Sequence, residues 1–118
     1  MGKRILVGTL AVGIMAWLVA LPLLDAPVLA GGNKYVQEAI EHANEAVDHG
    51  SQGHADVLVM HAEVALKHAK MAQKEMMNPH LDEGIHGLNE AISHGEAGHA
   101  EIATKHAKSA VMHLSEVK

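Results

Sequence analysis

The stretch EAVDHGSQGHADVLVMHAEVALKH, residues 45–68, decides the fold. It closes one amphipathic segment, turns within His-Gly-x-x-Gly-His, and opens a second segment in which histidine recurs at every seventh residue. Seven residues make nearly two helical turns, so His54, His61 and His68 share one helix face with a drift of only about 20° per step. Glycine readily adopts the left-handed conformation that ends a helix. The stretch therefore predicts two helices joined by a tight turn.

The same pattern occurs a second time. Residues 45–69 and 90–114, a shift of 45, are identical at 11 of 25 positions, which indicates an internal duplication. Short turns place consecutive helices antiparallel, so we expect an all-α, up-down four-helix bundle made of two duplicated helical hairpins. The expected helices are Asn33–His49, His54–Met77, Pro79–His94 and His99–Val117.

Local signals support these bounds. Asn78 and Pro79 predict an N-cap and a first helical residue, respectively. Gly84 and Gly87 are expected to weaken the third helix by about 1 kcal/mol each relative to alanine. Helical spacing predicts two buried faces, made of Val36, Ala39, Ile40, Ala43 and Val47 on the first helix and Leu58, Ala62, Ala65, Ala69 and Ala72 on the second.

The first thirty residues differ from the rest. Lys3 and Arg4 precede an apolar run over residues 5–24, and the small residues Val28 and Ala30 suit a cleavage site. This order is typical of a secretory signal peptide at residues 1–30. The run is also long enough to span a bilayer, so an uncleaved anchor remains the alternative. Residues 31–118 are expected to form one exported, histidine-rich domain.

The composition of that domain excludes several classes of site. Residues 31–118 contain 7 Lys against 13 Asp and Glu, which gives a net charge of −6 with neutral histidines. Such a surface repels nucleic acid and attracts cations. The chain has no cysteine, which excludes disulfides, thiolate zinc sites, c-type haem attachment and iron–sulfur clusters.

Eleven histidines, all beyond residue 40, dominate the domain. Residues seven apart on one helix are separated by about 10.5 Å, so a shared ligand site needs histidines from two helices. Folding the chain back at its turns places His42 opposite His61 and Tyr35 opposite His68. In the second hairpin His80 lies opposite His113 by the same reasoning. His86 lies one residue from the position opposite His106.

Carboxylates accompany the histidines of the first helix in each hairpin, at contact spacings of three and four residues. Glu38 and Glu45 flank His42, and Glu83 and Glu90 flank His86. A single histidine is often only a cap or a core residue, but the paired set favours metal binding. The candidate ligands are His42, His49, His54, His61, His68, His80, His86, His94, His99, His106, His113, Glu38, Glu45, Glu83 and Glu90.

The donor set indicates which metals suit these sites. Imidazole and carboxylate without thiolate favour borderline divalent ions, with copper(II) ahead of nickel(II) and zinc(II). We expect several sites of two or three ligands, and binding that weakens below about pH 6.5, where imidazole protonates. Copper(I) is a further possibility through methionine, but core filling is the favoured role for most of Met60, Met71, Met76, Met77 and Met112.

The repeated Glu-Ala-x-x-His-Gly-x-x-Gly-His pattern at residues 45–54 and 90–99, with Ala-Thr-Lys-His-Ala at 103–107, resembles the small periplasmic metal-binding proteins of ammonia-oxidising bacteria. The resemblance covers essentially the whole domain. It implies a four-helix bundle in the periplasm that takes up several metal ions, copper above all, as a scavenger or buffer and not as an enzyme. The ligands that it implies are His49, His54, His61, His68, His94, His99, His106 and His113.

Two other classes of function are weighed against metal storage. A dinuclear carboxylate enzyme needs a Glu-x-x-His pair on each of two helices, and only Glu83-x-x-His86 fits, because Glu96-x-x-His99 falls in a turn. A haem bundle would use Met60 or His61 as an axial ligand. The third class is an exported interaction module in which the histidines sense pH. We expect instead a monomer that binds metal ions, no nucleic acid and, after signal cleavage, no membrane.

Overall fold

Four helices account for most of residues 32–118, the part of the chain that this computed structural model describes. The expected signal peptide, residues 1–30, lies outside the described residues. The helices are α1 (Lys34–Ser51), α2 (Ala55–Glu75), α3 (Pro79–Glu96) and α4 (Ala100–Ser115). None of these helices has the length and apolar character needed to cross a membrane.

The helices pack as two hairpins. The most extensive contacts join α1 to α2, which form hairpin 1, and α3 to α4, which form hairpin 2. The pairs α2 with α3 and α1 with α4 close the ring, while the contact between α2 and α4 is slight. The predicted up-down four-helix bundle of two helical hairpins is confirmed.

An asparagine begins each hairpin. The Asn33 side chain accepts hydrogen bonds from the amides of Tyr35 and Val36 at 2.9 and 3.2 Å. Asn78 accepts from the amides of His80 and Leu81 at 2.8 and 3.4 Å. These bonds satisfy amides that have no partner within the helix. The prediction of Asn78 as an N-cap is confirmed, and Asn33 has the same role.

The turn of hairpin 1 joins two histidines through their backbones. The His54 amide donates to the His49 carbonyl at 3.0 Å, and the Gly53 amide donates to the Gly50 carbonyl at 3.0 Å. This pair of bonds is a Schellman motif, and it needs a left-handed residue, which Gly53 supplies with φ +85°. The first glycine of the motif behaves differently from the expectation, because Gly50 is the buried penultimate residue of α1.

The turn of hairpin 2 repeats this arrangement. The amides of His99 and Gly98 donate to the carbonyls of His94 and Gly95 at 2.9 Å each, and Gly98 has φ +82°. Both first helices therefore extend two residues past the histidine at which they were expected to end. The second helices begin one residue later than predicted, because His54 and His99 are their N-caps.

Alanine dominates the core between the helices. Among residues 32–118, only four leucines contribute large and fully buried side chains: Leu58, Leu81, Leu88 and Leu114. The predicted buried face of α2 is confirmed in full. On α1 the prediction was partly wrong, because Ile40 and Val47 are half-buried. The buried residues of α1 are Val36, Ala39, Ala43, Ala46 and Gly50.

Glycines allow α3 and α4 to approach closely. A Cβ atom added at Gly84 would lie 2.7 Å from a methyl carbon of Leu114. At Gly87 it would lie 3.1 Å from the Cβ of Ala110 and 3.2 Å from the His106 carbonyl oxygen. The expected propensity cost of these glycines remains a prediction, but the close packing explains why no larger residue occupies either position.

The methionines do not fill the core as expected. Met60, Met77 and Met112 are 62, 100 and 67 % exposed. Met76 is partly buried and packs against the core. Helix α2 ends at Glu75, two residues before its predicted end, and Met76 follows in an extended conformation. Met77 is therefore directed away from the packed helices.

Candidate metal centre

Imidazole rings from both helices of hairpin 1 interleave in the groove between α1 and α2. Side chains on a helix lean toward its N-terminus, so rings on antiparallel helices lean toward one another. His49 and His61, which the antiparallel pairing places about two turns apart along the hairpin, consequently stack with centroids 5.3 Å apart and planes 3° from parallel. His42 stacks in the same way on His68, at 5.9 Å and 3°.

These contacts join into one continuous file of rings. The remaining neighbours are the predicted level pairs, His42 with His61 at 5.8 Å and Tyr35 with His68 at 6.5 Å, and the turn pair His49 with His54 at 6.1 Å. We call this file the first ring column. In spatial order it consists of Tyr35, His68, His42, His61, His49 and His54.

The strongest cluster in the first ring column lies around Glu45. One carboxylate oxygen of Glu45 is 3.0 Å from Nδ1 of His42 and 2.8 Å from Nδ1 of His61. The three residues are half-buried, and each offers a ligand atom within 4.8 Å of the other two. A carboxylate and two imidazoles from two helices therefore converge on one point.

Glu38 forms a second, smaller cluster two turns away on α1. Its carboxylate oxygen is 2.9 Å from Nδ1 of His68, but that nitrogen is buried and makes no hydrogen bond among the described residues. Within residues 32–118, Nδ1 of His49 is likewise buried without a hydrogen-bond partner. Unpaired buried nitrogens are costly, and a bound metal ion would satisfy them.

Hairpin 2 contains a related cluster around Glu90. Rings of His94 and His106 stack at 5.2 Å, with planes 2° from parallel, and His94 also contacts His99 at 6.0 Å. Glu90, His94 and His106 each offer a ligand atom within 4.8 Å of the other two. Within residues 32–118, this cluster and the one around Glu45 are the two groups of three that could hold a metal ion.

The opposite end of hairpin 2 holds a third group, in which His80 and His113 stack at 6.0 Å as predicted. A carboxylate oxygen of Glu116 lies 3.9 Å from Nε2 of His80. Sequence reasoning missed Glu116, although its position three residues after His113 is a contact spacing on a helix. This group is more exposed than the two clusters.

Two candidate ligands join no cluster. His86 and Glu83 are exposed and make no ion pair or ring contact among the described residues. Successive residues on a helix point in directions about 100° apart around its axis. Because His86 is one residue away from the position opposite His106, its side chain is turned away from the groove. Gly87 occupies that position and is buried against α4.

The remaining candidates, His54 and His99, are exposed N-caps. Neither side chain makes a capping hydrogen bond within the described part of the chain, so their imidazole nitrogens are available to metal ions from solvent. Each lies at the turn of its hairpin, where its ring contacts that of His49 or His94.

The position of the carboxylates bears on the enzymatic alternative. A ferritin-like dinuclear site needs several inward glutamates within the bundle. Among residues 32–118, Thr104 is the one buried polar side chain, and its hydroxyl donates to the Ala100 carbonyl at 2.7 Å. Glu38, Glu45 and Glu90 instead lie in grooves at the surface. These carboxylates are open to ions from solvent, and the described residues form no such interior site.

Comparison with known proteins agrees with this chemistry. The family model described as "Small metal-binding protein" matches residues 7–117, which include every candidate ligand named above. No curated protein matches the chain.

Proposed function

The chain belongs to the small metal-binding protein family, and we propose that it sequesters and buffers copper(II) in the periplasm as a monomer. Each hairpin would hold ions in the groove between its two helices, with imidazole from both helices and carboxylate from the first. Metal ions are thus its cargo.

The observation that carries this proposal is the geometry of Glu45. Its oxygen lies 3.0 and 2.8 Å from imidazole nitrogens of two helices, and Glu90 forms a related cluster in hairpin 2. Neutral imidazole and carboxylate are good ligands for borderline divalent metals, and copper(II) stands first in their affinity order. Nickel(II) and zinc(II) are the expected weaker cargo.

The openness of the sites favours buffering over catalysis. The histidines in the two clusters of three are half-buried and their carboxylates are 43 and 40 % exposed, so ions can enter and leave from solvent. Two or three protein ligands leave coordination positions to water. Such sites hold ions reversibly, which is what a buffer requires.

Export supports a periplasmic location. Lys3 and Arg4 followed by the apolar run over residues 5–24 are typical of a secretory signal. The absence of cysteine in the sequence is compatible with a compartment in which thiols oxidise.

Titration calorimetry of the tag-free, metal-free protein with copper(II), nickel(II) and zinc(II) at neutral pH tests the proposal. We expect the protein to take up several copper(II) ions and to bind them more tightly than nickel(II) or zinc(II). Outer-shell substitutions at metal sites commonly lower the metal affinity by 10–100-fold. His61→Ala removes a direct ligand, so we expect it to lower the affinity for one copper(II) ion by at least tenfold. His86→Ala is the matched control and should leave the isotherm unchanged. Absence of heat with all three metals would contradict the proposal.

A further inference from the structure

The first ring column places one imidazole, that of His42, between two carboxylate positions. The Glu45 position consists of Glu45 and His61, in contact at 2.8 Å, and the Glu38 position consists of Glu38 and His68, at 2.9 Å. The two carboxylates are seven residues apart on α1, about 10.5 Å along the helix. Each position has one carboxylate and one imidazole of α2 to itself.

His42 lies nearly midway between these positions. Its ring centroid is 5.8 Å from that of His61 and 5.9 Å from that of His68. On the sequence it follows Glu38 by four residues and precedes Glu45 by three, so it can contact either carboxylate. Its Nδ1 lies on the Glu45 side, 3.0 Å from that carboxylate.

The chemistry of imidazole makes this sharing exclusive. A neutral imidazole carries a proton on one nitrogen and a lone pair on the other, so it ligates one ion at a time. An ion at the Glu45 position that uses His42 therefore leaves an ion at the Glu38 position with fewer ligands.

Hairpin 2 has no such shared ligand. The residue equivalent to His42 is Gly87, where a side chain would meet Ala110 at 3.1 Å. Among the described residues, no ring connects the stacked pair of His94 and His106 to the stacked pair of His80 and His113. Ions bound there would be independent of one another.

We propose that hairpin 1 holds copper(II) in two overlapping positions that compete for His42. An ion bound at the Glu45 position therefore weakens copper(II) binding at the Glu38 position. This inference rests on the proposed function and adds a coupling between its sites. The competition gives hairpin 1 a graded series of affinities, and it lets an ion pass from one carboxylate to the other by exchanging ligands around His42.

Tyr35 offers a reporter for the Glu38 position. It is the only tyrosine of the chain, and its ring lies 6.5 Å from that of His68. Glu45 is ten residues from Tyr35, about 15 Å along α1. Because paramagnetic broadening falls steeply with distance, the Tyr35 ring-proton signals report copper(II) at the Glu38 position and scarcely respond to copper(II) at the Glu45 position.

The test is a titration of the full chain at free copper(II) concentrations fixed by a competing chelator, with Tyr35 ring-proton broadening as the signal. Glu45→Gln weakens the Glu45 position and releases His42, so Tyr35 should broaden at a free copper(II) concentration lower by about fivefold or more, the usual range of site coupling. Glu90→Gln, the equivalent change in hairpin 2, is the control and should not shift the Tyr35 response. His61→Ala should act like Glu45→Gln.

The role of His42 is isolated by a second comparison. In a His42→Ala background, Glu45→Gln should no longer shift the Tyr35 response, because the shared ligand is gone. A shift of equal size with and without His42 would assign the coupling to charge repulsion and overturn the inference. So would an unchanged or weakened Tyr35 response in Glu45→Gln, with copper(II) uptake and the proposed function left intact. Absence of uptake in the wild type would instead contradict both.

Discussion

Hairpin 1 and hairpin 2 carry histidines at the N-cap and at the same two positions of their second helices, and a glutamate at the equivalent positions 45 and 90, yet their imidazoles connect differently. In hairpin 1 the rings follow one another without a gap, whereas in hairpin 2 they form two separate groups. One position accounts for this difference. It is His42 in hairpin 1 and Gly87 in hairpin 2.

The comparison shows that helix packing decides where a ligand can be placed. At Gly87 the backbone of α4 lies so close that an added Cβ would be 3.2 Å from the amide nitrogen of Ala110. At His42 the groove accommodates an imidazole that contacts two rings of α2. The repeated carboxylate therefore recruits different partners, His42 and His61 at Glu45 but His94 and His106 at Glu90.

The largest expected effect is stabilisation by copper(II). A ligand at a hundred times its Kd that binds only the folded state adds about 2.7 kcal/mol per site to the free energy of unfolding. We expect saturating copper(II) to raise the Tm of the protein, measured by far-UV circular dichroism. Glu45→Gln and Glu90→Gln should each remove part of this gain without altering the metal-free Tm. Equal Tm values with and without copper(II) would contradict the proposal that the two hairpins bind copper(II).

The next effect tests the cause of the gap in hairpin 2. Gly87→His places histidine where the first ring column has one, but the side chain would overpack α3 against α4. We expect a loss of about 1–3 kcal/mol in the free energy of unfolding, measured by urea denaturation without metal.

The reciprocal change, His42→Gly, is the control. It creates no clash and should cost no more than about 1 kcal/mol through helix propensity. A Gly87→His variant as stable as the wild type would show that close packing does not explain the gap.

The smallest effect concerns a feature that the two hairpins share. Asn33 and Asn78 cap α1 and α3 with the same pair of hydrogen bonds. Asn33→Ala and Asn78→Ala should each lower the free energy of unfolding by about 1 kcal/mol, the usual cost of losing an N-cap. Because Asn33 also donates to Glu75 at 2.8 Å, Asn33→Asp separates the cap from that contact. Asn78→Asp is the matched control, and losses from Asp to Ala that differ between positions 33 and 78 would show that the two caps are not equivalent.

Much of the fold could be predicted from the sequence. The seven-residue histidine spacing and the two glycine turns specify antiparallel helices, and matching positions across a turn predicts which residues lie level. His42 with His61 and His80 with His113 are confirmed as such pairs. This works because a tight turn fixes the register of a helical hairpin.

The stacked contacts between rings two turns apart could not be predicted by the same method. His49 reaches His61 because side chains of antiparallel helices lean toward each other, and level matching of backbone positions ignores that lean. The burial of Gly87 depends on the distance between α3 and α4, which sequence spacing does not give. Without that distance, His86 and Glu83 resembled ligands although they point to solvent.

The central claim is that histidines from two helices of one hairpin hold the same ion. A double-mutant cycle on copper(II) affinity, with His42→Ala, His61→Ala and the double variant compared by titration calorimetry, tests it most directly. The effects of residues that share a site are coupled. Each single change should therefore weaken binding of the same ion, and the double variant should bind it little more weakly than either single variant. Additive losses would show that the two histidines bind separate ions and would contradict the account.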